Sequence, residues 1–155
     1  MAANYGLLSG PAFSLSYAFA GIFMGLLVDK VNRKKLLLGS MFIWSMSTVI
    51  SGTTNSFGVL FLMRFILGLF VSATEPAGYS LLGDFFPRKV RTTANSAIGI
   101  GGYMGGGLSS LQVVVIATFG WRGAYLFNGG VGIAVAALGL ILLREPEKGM
   151  LQKLE

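Results

Sequence analysis

Two charged side chains of this sequence, Arg64 and Glu75, lie inside a long apolar run, residues 57–83, instead of at its ends. Placing an arginine in a hydrocarbon layer costs on the order of 2.5 to 3.5 kcal/mol on insertion scales, so Arg64 has to face protein or water, or else snorkel to the near interface. At ~1.5 Å per residue it sits roughly 10 Å from the start of the run, within reach of that escape. Glu75 is eleven residues further on and has no partner nearby in sequence. A carboxylate buried without a partner tends to keep its proton, the property that a proton-coupled step uses. The competing reading is a neutral acid bonding the backbone groups that Pro76 leaves unpaired. Arg64 and Glu75 are the candidates for contact with a solute or a coupled proton.

Cysteine and histidine are both absent, which removes disulfides, thiolate sites and the commonest metal ligand and general base. No nucleophile with a base, no metal-ligand cluster and no carboxylate pair appears, so neither enzyme activity nor a metal or cofactor is expected. Gly99, Gly101, Gly102, Gly105, Gly106 and Gly107 form a cluster that fails as a dinucleotide fingerprint, because the position requiring glycine is Met104 and no strand precedes it. Gly101 with Gly105 and Gly102 with Gly106 instead make two overlapping small-xxx-small pairs, the pattern that lets membrane helices approach backbone to backbone.

The elements that must carry these residues are membrane helices. Apolar residues make up 54% of the chain, charged residues 12%, and mean hydropathy is +0.72, a profile of an integral membrane protein. With about 20 apolar residues needed per crossing, the expected fold is all-α, a multi-pass helical bundle with five spans near 11–28, 36–53, 57–83, 92–118 and 123–143. The pI near 9.9 does not indicate nucleic acid, because the bases fall in short clusters between apolar runs, where they set topology. The lipid bilayer is the expected partner. Ten of the twelve bases fall in residues 29–35, 84–91 and 144–155, which makes those loops and the C-terminal tail cytoplasmic. Residues 1–9 carry no charge, so the basic n-region of a cleaved signal is missing. An odd number of spans then places residue 1 on the far side, and a segment before it is expected to be missing.

Between the first two spans, Asp29 precedes Arg33 by four residues, a spacing that allows an ion pair, and Gly25 lies one turn earlier on the same face. The stretch Gly25-x-x-x-Asp29-Lys30-x-Asn32-Arg33-Lys34-Lys35 resembles the loop motif between the second and third helices of the major facilitator superfamily. Arg64-x-x-x-Gly68 is similar to the arginine motif of that superfamily's fourth helix. Asp84-Phe85-Phe86-Pro87, with Arg88 and Arg91, resembles its exit. Gly120-Trp121-Arg122 resembles the entry to the sixth helix. Within the superfamily, Asn32 and the ending Arg144-Glu145-Pro146-x-x-Gly149 resemble the spinster-type branch.

The resemblance implies the N-terminal half of a major facilitator fold, family helices two to six, lacking the first helix and the C-terminal half as partners. It implies transport of a small organic or lipid-like solute by a secondary transporter, with Gly25, Asp29, Lys30, Arg33, Lys34, Asp84 and Arg88 forming the gating motif. In that family Asp29 and Arg33 help to hold the outward-facing state, partly through the exit of the fourth helix, here Asp84. One departure stands out: Val71 occupies the place of the acid usual in spinster-like proteins, and Glu75 follows one turn later. Because alternating access rocks one half against the other, a partial half is expected to be inactive alone. The alternative is a truncated, non-transporting membrane protein that associates with and modulates a full-length relative.

Overall fold

The computed structural model describes residues 10–28 and 30–143, which form five helices and no strand: α1 (Pro11–Val28), α2 (Arg33–Thr53), α3 (Phe57–Phe85), α4 (Arg88–Ser109) and α5 (Gln112–Leu142). By length and composition α1, α2, α3 and α5 can each cross a membrane. α4 falls short of that standard because it opens with Arg88, Lys89 and Arg91 and then spends its middle on glycines, which add no apolar side chain.

Local sequence accounts for the helix ends. Asn32 is the N-cap of α2, its side-chain oxygen accepting the Lys35 N–H at 2.8 Å. That cap draws Arg33, Lys34 and Lys35 into the first helical turn, where the loop 29–35 had been expected. The apolar stretch expected as one span over 92–118 is divided. α4 stops at Ser109 and a new helix starts at Gln112, because Gly105, Gly106, Gly107, Ser109 and Ser110 are poor helix formers in succession. α5 then breaks at Gly120, whose φ of 72° and ψ of 172° suit a residue without a side chain.

In space α1 packs on α3, α3 on α2 and α2 on α5, while α4 lies lightly against α3 and α5. The seams are built from small residues. A Cβ added at Gly68 would collide with the Ser16 hydroxyl and stand 2.7 Å from the Phe13 carbonyl oxygen; one at Gly129 would stand 2.9 Å from the Ser45 carbonyl oxygen. These are the close backbone approaches that hold membrane helices together where lipid offers no hydrophobic contrast. Several buried hydroxyls bond one turn back, as in Ser16 to the Ala12 carbonyl at 2.9 Å and Ser51 to the Ser47 carbonyl at 2.7 Å. Large apolar side chains such as Phe19, Ile22 and Phe23 point outward, as a lipid-facing surface requires.

The glycine pairs of α4 do not make this kind of contact among the described helices. Gly101, Gly102, Gly105 and Gly106 have nothing within 4 Å of an added Cβ, and α4 has no buried residue. Gly25 likewise meets nothing within 4 Å. Spacing reveals that a helix face is smooth but not which helix lies against it, so the close contacts fall at Gly68, Gly129 and Gly132 instead.

Candidate functional site

Two groups of polar side chains stand out, one at the basic end of the bundle and one on the open side of α3. At the basic end, the start of α2 meets the ends of α3 and α5. The cap at Asn32 aims Arg33 at Asp84, which sits in the last turn of α3, and the two form an ion pair with side chains only 18% and 11% exposed. Lys34 donates to the Leu140 carbonyl oxygen of α5 at 3.2 Å, and Arg91 of α4 donates to the Gly83 carbonyl oxygen of α3 at 2.7 Å. Helix C-termini leave carbonyls unpaired and carry partial negative charge, so these cations both complete hydrogen bonds and complement the dipole. The bases therefore clamp α2 and α4 to the ends of their neighbours. Lys30 is exposed in the turn before α2, and Arg88 opens α4 at an exposed position. Asp29, the expected partner of Arg33 within the motif, lies outside the described residues.

On the open side, Glu75 and Tyr79 of α3 face Ile98, Gly99, Gly102 and Tyr103 of α4 across a cavity of about 450 Å³. Tyr17 of α1 adjoins Glu75 closely enough for their side chains to hydrogen-bond. Glu75 is thus exposed and has a neighbour in Tyr17, where a buried carboxylate without a partner had been expected. It stands on an exposed wall, one helical turn from Tyr79 on the same face. The two glycines keep the cavity open, since a side chain at Gly99 or Gly102 would project into it.

Arg64 is turned toward protein. Its guanidinium donates to the Tyr125 hydroxyl of α5 and lies over that ring, 5.2 Å from the centroid, so a cation–π contact and a hydrogen bond offset its desolvation. Tyr125 in turn meets Trp121 edge to face at 6.0 Å. Arg122, over the Trp121 ring at 4.6 Å, bonds the Asn55 side chain in the α2–α3 turn. Arg64 and Glu75 are not brought together: eleven residues of α3 separate them, roughly 16 Å along the axis.

Tyr17, Tyr79, Tyr103 and Tyr125 are the site residues that sequence reasoning missed. Tyr79 was recoverable, being four residues after Glu75, whereas Tyr17 and Tyr125 meet their partners only through the packing of distant helices. Gln112 and Asn128, bonded at 2.8 Å across the break at Gly120, also had no signal in the sequence.

Residues 3–155 match the Major Facilitator Superfamily. The chain is 30% identical over 144 residues to the probable galactarate/D-glucarate transporter GudP of Escherichia coli (strain K12), covering 88% of this chain and 32% of that protein. It is 28% identical over 139 residues to the probable sulfoacetate transporter SauU of Cupriavidus necator, covering 88% and 32%. Among solved structures it is similar to a bacterial homolog of the human lysosomal transporter Spinster in its inward-facing, occupied conformation. That likeness has a TM-score of 0.79 and 30% identity, over 97% of this chain and 38% of that one. The unoccupied form gives a TM-score of 0.76. The chain spans about a third of the length of the curated relatives it matches. The motifs at the start of α2 and within and after α3, the all-helical fold and these likenesses agree: the chain is an integral, multi-pass membrane protein and belongs to the Major Facilitator Superfamily.

Proposed function

We propose that this chain forms one wall of the solute pathway of a secondary transporter for a small organic solute. The observation that carries this reading is the cavity between α3 and α4, where Glu75, Tyr79 and Tyr103 stand exposed on a side that the packing of α1, α2, α3 and α5 leaves open. A site shared between two halves that rock against each other needs such a half-built face. The missing wall is assigned to a first helix and a C-terminal half beyond this chain. Several relatives are named as transporters of sugar acids, which favours a small polar solute over a lipid-like one. Tyr79 and Tyr103 are suited to orient it, and Glu75, with Tyr17, to exchange a proton with it or with bound water. The Arg33–Asp84 clamp, with Lys34 and Arg91, keeps the wall rigid as the halves move, and the basic end is the cytoplasmic one.

The test is a chimaera in which this chain replaces the matching third of GudP, reconstituted in vesicles and assayed for D-glucarate uptake. Uptake is expected to persist and to fall about a hundredfold or more with Glu75→Gln, the scale of losing one acid–base group. Undiminished uptake by that variant would sink the role given to Glu75.

A second reading draws on the unpartnered α4 glycines. A stand-alone short protein would use that face to associate with and modulate a full-length relative. Co-purification with the relative, without any gain of uptake by the chimaera, would favour it.

A further inference from the structure

Away from the solute-facing side, the seam between α2 and α5 opens at its basic end into a groove of about 330 Å³. Leu38 and Ala136, both buried, make its floor, and two exposed small residues, Gly39, where an added Cβ would meet nothing within 4 Å, and Ala137, keep it open. Phe42, Ile133 and Leu140 make its apolar walls, and Lys35 is its one charged lining residue. We propose that this groove holds an acyl chain of an anionic phospholipid, with the lipid phosphate on the Lys35 ammonium.

The neighbouring bases are already committed. Arg33 pairs with Asp84 and Lys34 with the Leu140 carbonyl. Lys35 uses its backbone N–H on the Asn32 cap, while its exposed ammonium makes no hydrogen bond or ion pair among the described residues. A solute site would need several convergent polar groups inside the groove, and there are none. An apolar slot within the hydrocarbon layer, capped by one cation at its edge, complements a lipid in both parts. A lysine on a flexible stem reaches the phosphate level by snorkelling. Zwitterionic lipids also carry a phosphate, but their own cation opposes Lys35, which gives an anionic headgroup the advantage. The inference holds whichever side of the membrane this end faces, and it does not depend on the solute pathway.

Native mass spectrometry of the chain purified from vesicles of equimolar phosphatidylglycerol and phosphatidylcholine tests the proposal. One retained phosphatidylglycerol is expected in about fivefold excess over phosphatidylcholine, the factor equivalent to ~1 kcal/mol per basic residue near an anionic surface. Lys35→Gln is expected to bring the ratio to about one without loss of helicity. Gly39→Leu, which fills the groove, is expected to lower retention of both lipids. Lys89→Gln removes a charge exposed at the same end but outside the groove, and it leaves the ratio unchanged. An undiminished preference in Lys35→Gln would overturn the proposal, as would an equal loss in Lys89→Gln, or a lipid-free dimer in which a second copy covers the groove.

Discussion

Arg33 has to be weighed against the cost of taking a guanidinium and a carboxylate partly out of water. The pair it makes with Asp84 retains 18% and 11% exposure, so its net worth is modest while its rupture is not: without Arg33 the Asp84 carboxylate would be left between helix ends with its cation gone. Arg33→Ala is therefore expected to destabilise the chain by on the order of 3 kcal/mol, read as a lowered midpoint of thermal unfolding in detergent. Lys30→Gln, at an exposed turn position, should leave that midpoint within about 0.5 kcal/mol. Both members of the pair stood in the sequence inside recognisable motifs, and their meeting followed from the resemblance. Arg64 differed: that it faces protein followed from the cost of burial, but Tyr125, sixty-one residues away on α5, could not be named before the helices were placed. Glu75 was legible as a functional candidate, yet its exposed setting was not, because hydropathy does not report which face of a helix lacks a neighbour.

Among the elements, glycines of equal appearance do opposite things. Gly68 lets α1 lie against α3 with no room for a side chain, whereas Gly105 faces open space. Gly68→Val is expected to cost about 1 to 3 kcal/mol or more by overpacking. Gly105→Ala should stabilise the isolated chain by roughly 0.5 to 1 kcal/mol through helix propensity alone. The pair of measurements separates packing glycines from those that leave a surface for another part of the protein; destabilisation by Gly105→Ala would mean that α4 is packed more closely than described. The start of α1 and the approximate course of α2 and α3 were legible because apolar runs and polar turns bracket them. The division at Ser110 and Leu111 was not, since a run of glycine followed by valine scores as apolar throughout while its backbone propensity changes midway.

For the whole molecule, the asymmetry of packing is what matters. α1, α3, α2 and α5 close on one another through small residues, while α4 stands off and leaves Glu75, Tyr79, Gly99, Gly102 and Tyr103 around an open cavity. An acid and two tyrosines on an open face are what the proposed solute pathway requires. Because the chain contains no cysteine, single thiols can report which surfaces meet water. The most direct measurement is labelling of Gly102→Cys by a charged, membrane-impermeant maleimide in the GudP chimaera, compared with Phe19→Cys on the outward face of α1. Rapid labelling at 102, slowed by D-glucarate, and negligible labelling at 19 are the predicted result. Equal inertness at both positions, or labelling at 102 that D-glucarate leaves untouched, would contradict a solute pathway between α3 and α4.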